Sequence, residues 1–190
     1  MHPVDRGLRR ADERRKQRPT VLSTSQPLTR LDKAIRRLQA QRTCLDWAVA
    51  EIADLPGIVV ELGLGNGRSF DHLRACLPDR EIYVFERSVN AHPDAVPSPD
   101  RLILGDIEET LPQMRPEFAS RVALMHSDIG TGDDARNARI AGWLGPEILP
   151  FLAPGGIVAS DQPLAALSDI AVALPPGVGE DRYYLYRLPP

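Results

Sequence analysis

GIVVELGLGNGRSFDHL, residues 57–73, is the stretch from which the fold can be read. The run Ile58-Val59-Val60 is short, β-branched and unbroken by polar alternation, the pattern of a strand buried on both faces of a parallel sheet. Gly63, Gly65 and Gly67 then alternate, which allows positive φ and lets a ligand come against bare backbone. A helix is expected at once, capped by Asn66 or Gly67, with the free N–H groups of its first turn offering partial positive charge to an anionic ligand group. Strand, glycine turn and helix form the nucleotide-binding opening of doubly wound α/β folds.

Outward from this turn the chain keeps the same rhythm. Ile82-Tyr83-Val84-Phe85 predicts a second strand ending at Glu86, nineteen residues beyond Gly67. At that spacing an acid accepts hydrogen bonds from ribose hydroxyls in nucleotide folds. Leu102-Ile103-Leu104, Val122 to Asp128 and Gly155 to Asp161 predict three more strands, and His126 inside the fourth reads as a hydrogen-bonded core histidine. Upstream, Thr29 and Asp32 predict a capping box opening a helix whose stripe is Leu31, Ile35, Leu38, Leu45, Val49 and Ile52. Gln41 and Arg42 interrupt that stripe. After the fourth strand, Thr131 and Asp134 are the expected caps of a helix turning Ala138, Ala141, Leu144 and Ile148 to the sheet. Ile170–Leu174 and Arg182–Leu188 predict a closing hairpin. The fold class is therefore α/β: a doubly wound, mostly parallel sheet with helices on both faces and an antiparallel C-terminal hairpin.

Pro93, Pro97 and Pro99 leave no room for a helix between the second and third strands. A loop there would leave apolar sheet uncovered, so a homo-oligomer is expected. A length of 190 residues with 43% hydrophobic composition suits one domain with a real core. We place that domain at residues 28–190, behind a flexible basic arm over 1–27. Residues 1–18 carry seven basic side chains against three acidic ones, so the rest of the chain holds about −7 of charge against an overall −3. An acidic body argues against tracking a nucleic acid backbone. No run approaches the ~20 apolar residues of a membrane span and the N-terminus lacks an apolar signal core, so no membrane partner and a cytoplasmic location are expected. Cys44 and Cys76 lack metal or redox spacing and read as buried hydrophobes in a reducing compartment.

Glu61-Leu62-Gly63-Leu64-Gly65-Asn66-Gly67 resembles the first motif of the class I S-adenosylmethionine-dependent methyltransferases. An NAD fingerprint would place its third glycine at position 68, which is Arg. The resemblance runs from about residue 30 to the end, and implies a cofactor set of Glu61, Gly63, Gly65, Asn66, Gly67, Arg68, Ser69, Glu86, Arg87, Gly105, Asp106, Ile107 and Ser127. Within it, Glu86 would hold the ribose, while Asp106 would bond the adenine amino group beside an apolar Ile107. Asp106 also reads as a plain cap for a helix over Glu108–Met114. In such enzymes the helix ahead of the first strand reaches the cofactor's methionine end, which offers a role for Gln41 or Arg42.

Methyl transfer from a sulfonium needs alignment, exclusion of water and removal of the acceptor's proton. Ser127-Asp128-Ile129-Gly130 stands where enzymes methylating nucleic-acid amines carry an Asn/Asp-Pro-Pro-aromatic motif, and a small-molecule acceptor with O-methylation is expected instead. Asp128, Asp161 and Gln162 resemble the Asp, Asp, Asn set that holds a divalent cation such as Mg²⁺ in catechol O-methyltransferase and its relatives, with Gln in place of Asn. Two close carboxylates need either such a cation or a shared proton that raises one pKa. In the second case Asp128 is the candidate catalytic base. A non-catalytic S-adenosylmethionine-binding module and an NAD-type oxidoreductase are the alternative readings.

Overall fold

The computed structural model describes residues 27–190. The arm expected over residues 1–27 falls, apart from Pro27, outside the described residues.

One six-stranded sheet organises the chain, in the order β3-β2-β1-β4-β5-β6. β1 (Ile58–Leu62) is central and buried at every position, as its unbroken apolar run predicts. It pairs in parallel with β2 (Ile82–Glu86) on one side and β4 (Val122–Ser127) on the other. β3 (Leu102–Leu104) extends the sheet beyond β2, and β5 (Leu152–Ser160) extends it beyond β4, both in parallel. After β1 the chain winds first one way and then the other, so a crevice opens at the carboxyl ends of β1 and β4, where such sheets bind ligands.

β6 (Tyr184–Arg187) lies antiparallel to β5. Its expected hairpin partner, Ile170–Leu174, makes only the bridge Ala171 to Tyr186 and the bond from Val172 N to Leu185 O. A 3₁₀ turn over Ala165–Ile170 takes up the start of that segment.

Helices cover both faces. α1 (Arg30–Glu51) and α2 (Arg68–Cys76) put Cys44, Leu45, Ala48, Ile52, Phe70 and Leu73 against one face, whereas Cys76, expected to be buried, is exposed at the end of α2. α3 (Ile107–Phe118) and α4 (Asp134–Ile148) put Leu111, Phe118, Leu144 and Ile148 against the other. Between β2 and β3 the prolines leave only two 3₁₀ turns, Pro93–Ala95 and Pro99–Arg101, in place of a helix. Val89 and Leu104 beside them are exposed.

Three details differ from the sequence expectation. The capping box of Thr29 and Asp32 is present, but Leu31 and Ile35 just inside it are exposed, because the first turns of α1 run past the edge of the body. α3 continues to Phe118 through Pro112 and Pro116, each on an exposed face. α4 is capped by Asp133, whose side chain accepts from Arg136 N at 3.0 Å, and Asn137 rather than Ala138 turns inward. Asn137 binds both the N–H and the carbonyl of Thr131 at 2.8 Å, fixing the loop that leaves β4.

Candidate functional site

The glycine turn is built as its spacing predicts, but its glycines answer to different neighbours. A Cβ on Gly67, where φ is +79°, would lie 2.6 Å from Ala95 O and 2.7 Å from Ala95 Cβ. Gly67 is thus the seat on which the proline loop after β2 packs, as well as the left-handed cap of α2. Gly63 is pressed against the backbone of Asp128 in the same way. Only Gly65 would point a Cβ into open space, with nothing within 4 Å. Gly67→Ala is expected to cost about 2–3 kcal/mol of stability, from left-handed strain together with the backbone clash; urea denaturation measures it.

Glu86, at the carboxyl end of β2, reaches back under the turn. Its Oε2 accepts from Leu64 N at 2.8 Å and Gly65 N at 3.1 Å, and its Oε1 from Ser88 N at 2.9 Å. Burial alone would raise this carboxyl, but the N–H groups of Ser88, Gly65, Leu64 and Arg87 together hold it below the usual carboxylate range. The acid read as a ribose acceptor therefore also fixes the shape of the glycine loop. Its carboxylate lines a cleft of about 490 Å³ together with Gly63, Gly65, Arg87, Gly105, Asp106, Ile107 and Asp128. Asp106 caps α3 through Oδ1, which accepts from Glu108 N at 3.0 Å, and borders the cleft as well. Across the rim, Arg139 of α4 grips both oxygens of Glu108 at 2.7 and 2.9 Å.

A second cleft of about 180 Å³ continues from the first past Gly63, Gly65, Asp128 and Gly130. Asn66, Arg68 and Ser69 line it, and α1 supplies Arg37, Leu38 and Gln41. Gln41 is the buried member of the pair that broke the α1 stripe, whereas Arg42 is exposed. Nothing in the sequence singled out Arg37; its only signal is that it lies one helical turn before Gln41.

Glu61 and Ser127 border neither of these clefts. Glu61 is fully buried; its Oε1 accepts from Ser69 Oγ and faces His126 Nδ1 at 3.2 Å, while its Oε2 has no partner. His126 is the hydrogen-bonded core histidine expected of it, with Nε2 2.5 Å from the Tyr183 hydroxyl. Ser127 is buried with an unpartnered Oγ.

Asp128 and Asp161 follow neighbouring strands in register, Ser127 opposite Ser160, and so come together as topology requires. Asp128 is turned toward α1: Gln41 Nε2 donates to Oδ2 at 2.7 Å, and Arg37 Nη1 stands 3.3 and 3.4 Å from the two oxygens. Asp161 Oδ2 accepts from Gly130 N and Gln162 Nε2, each at 3.1 Å, and its Oδ1 is buried without a partner. These residues do not fit a divalent ion. A guanidinium and an amide N–H₂ occupy Asp128, and Gln162 offers nitrogen where a hard cation needs oxygen. Burial, and then the charge of Asp128, pushes the Asp161 carboxyl up to about 6, so it takes up a proton more readily than an ordinary aspartate.

That shift has a signed consequence for stability. The folded value lies above the ordinary 3.8, so the native state binds the proton more tightly, and stability falls as pH rises from about 4 to about 6. Asp161→Asn, which keeps a carbonyl oxygen for Gly130, is expected to remove this slope and to raise stability at pH 7 by about 1–3 kcal/mol. Urea denaturation at pH 4.5 and 7 reads both effects.

Known proteins share this fold. Residues 28–188 match the family model described as S-adenosyl-L-methionine methyltransferase. An S-adenosyl-L-methionine methyl transferase of known structure from Silicibacter pomeroyi DSS-3 is 45% identical over 85% of this chain and 99% of its own, with a TM-score of 0.80. The apo form of CmcI is 18% identical, covering 79% of this chain and 71% of its own at a TM-score of 0.50, and shares the fold. No curated protein matches the chain. Gly65 stands bare toward the open cleft, and Glu86 lines the same cleft. The chain belongs to the S-adenosyl-L-methionine methyltransferase family, as a small enzyme that uses S-adenosylmethionine as methyl donor.

Proposed function

We propose that the protein transfers the methyl group to a small-molecule acceptor, with oxygen as the favoured atom and Asp128 as the group that takes the acceptor's proton. One observation carries this reading: Asp128 is the sole acid that lines both clefts among the described residues, so it stands where the nucleoside and methionine ends of the cofactor would join, beside the sulfonium whose methyl is transferred. Oδ2 is held by Gln41, whereas Oδ1 meets only a half-exposed Arg37 at 3.3 Å, a contact weak enough for an acceptor hydroxyl to replace.

In this reading the larger cleft takes the nucleoside, with Glu86 on the ribose and Asp106 and Ile107 at the adenine. The smaller cleft takes the methionine end, where Asn66, Arg68 and the Arg37–Gln41 side of α1 offer donors for a carboxylate. When bound, the cofactor supplies an activated methyl on a sulfonium, and the chain has to align the acceptor, exclude water and hold its proton. Gly63 keeps the turn close against Asp128, and Asn137 fixes the loop after β4 that would border the acceptor. A cleft of about 490 Å³ is the size of one drug-sized ligand, which leaves the acceptor only a small approach.

The test is a screen of small hydroxy and amino compounds, followed as release of S-adenosylhomocysteine. Turnover of a small hydroxy compound is the expected result. Turnover confined to nucleic acid or protein acceptors would overturn the small-acceptor reading, and saturable cofactor binding with no turnover on any acceptor class would favour a binding module.

A further inference from the structure

Away from both clefts, α1 and α2 bring three metal-ligating side chains to one point. His72 and Cys76 lie one turn apart on α2, at the i, i+4 spacing that sets two side chains on one helix face. Asp46 reaches them from the neighbouring α1. Its Oδ1 stands 2.7 Å from His72 Nε2, and Cys76 Sγ stands 3.8 Å from the same nitrogen. One ligand atom from each of the three lies within 4.8 Å of the other two. The spacing of the cysteines alone conceals this set, because its carboxylate lies 26 residues from the imidazole on another helix.

Convergence on a single ring nitrogen decides what the set can do. A relay that activates the thiol would need the carboxylate on one nitrogen of the imidazole and the sulfur on the other. Here both face Nε2, and one nitrogen with one proton or one lone pair cannot serve both neighbours well. A cation between the three atoms serves all of them. A tetrahedral zinc ion, with bonds of about 2.0 Å to nitrogen and oxygen and about 2.3 Å to sulfur, needs ligand atoms about 3.3–3.5 Å apart. The sulfur would then move in by about 0.3 Å and the carboxylate swing away from the ring by about 0.6 Å, shifts open to exposed side chains. Oxygen, nitrogen and sulfur together select zinc over magnesium or calcium, since hard cations take oxygen.

The surroundings suit an ion as well. Asp46 and His72 keep 54% and 29% of their side-chain surface exposed, and Cys76 is exposed, so an ion enters from water and keeps a water in its fourth position. Among the described residues no arginine or lysine pairs with Asp46, in contrast to Asp128, and Arg74 of α2 is held by Asp71 at 2.7 Å.

We propose that Asp46, His72 and Cys76 form a zinc site that clips the C-terminal half of α1 to the end of α2. The thiol gives up its proton to solvent as the bond from sulfur to zinc forms, and no other bond changes. None of the three residues lines either cleft, so the ion acts on stability and leaves methyl transfer alone. It holds α2, the helix that Gly67 opens, beside α1 on the sheet face they share.

The test uses the full chain after exhaustive chelation, with Zn²⁺ and Co²⁺ as probes. Calorimetry is expected to find one Zn²⁺ per chain, and Co²⁺ to give a thiolate-to-metal charge-transfer band. Zn²⁺ at about a hundredfold excess over its Kd should raise the melting temperature by ~5 °C or more. Cys76→Ser, at an exposed position, should melt as the metal-free wild type does, lose the band, and bind Zn²⁺ weaker by more than about tenfold, the least that losing even a supporting partner costs. His72→Gln should weaken binding by a similar factor. A second measurement needs no variant: at the same excess about one thiol in a hundred stays free, so Zn²⁺ should slow alkylation of Cys76 by iodoacetamide more than about tenfold. Absence of saturable Zn²⁺ binding, a band that survives in Cys76→Ser, or alkylation that Zn²⁺ does not slow would each overturn the proposal. Binding without the band, or binding unchanged by His72→Gln, would show an adventitious ion only and overturn it too.

Discussion

Gly65→Val is expected to weaken S-adenosylmethionine and S-adenosylhomocysteine binding by more than about a hundredfold while the protein stays folded. Within the protein, a Cβ at this position meets nothing within 4 Å, so the free chain feels only the strain of a branched residue at φ +52°. That strain is about 1–2 kcal/mol, or ~2–8 °C in melting temperature for a chain of this size. In the complex the same carbons would occupy the cleft beside Glu86 and Asp128, where the ligand has to approach the backbone. Gly65→Ala should be intermediate. Calorimetry and a thermal melt on the same samples separate lost binding from lost structure, and unchanged affinity in the valine variant would remove the glycine turn from the binding site.

Asp128→Asn carries the second largest expected effect, a fall in kcat of about 10²–10³-fold with cofactor affinity changed only a few-fold. Asparagine keeps the shape and can still accept from Gln41 at the present 2.7 Å contact, but cannot take a proton. The split between turnover and binding distinguishes a base from a residue that only helps to seat the cofactor, which would lose affinity and turnover together. Because Arg37 and Gln41 already occupy Asp128, and Gln162 turns nitrogen to Asp161, exhaustive chelation is expected to leave turnover intact. Loss on chelation that returns with Mg²⁺ would reverse this.

Where function follows from local order along the chain, the sequence was legible. Gly63, Gly65 and Gly67 announce a strand, a turn and a helix within one short stretch, and the distance to Glu86 is set by the helix that must fit between two parallel strands. Asp106 caps α3 as its position before Glu108 predicts, and a cap there stands at the sheet's ligand edge. The polar break in the α1 stripe did mark Gln41, because a buried amide needs a partner and so points to one.

What stayed hidden depends on contacts between elements distant in sequence. The partners of Asp128 lie 87 and 91 residues away, and no periodicity shows which turn of α1 will cross the end of β4. Asn137 is buried where the helical stripe predicts Ala138; one position of helix phase decides between them, and the cap at Asp133 sets that phase. Glu61 fits a cofactor motif, yet its side chain is buried between α2 and β4, where Ser69 and His126 receive it. Tyr183 reads as a packing residue because the segment before β6 has no period, and only the folded chain brings its hydroxyl to His126.

The measurement that tests the central claim most directly is a crystal structure of the full chain with S-adenosylhomocysteine. The account predicts the ribose hydroxyls on Glu86, the adenine beside Asp106 and Ile107, Gly65 against the ligand, and the amino-acid end among Arg37, Gln41 and Asp128. A ligand lying elsewhere, or with its adenine in the smaller cleft, would contradict it.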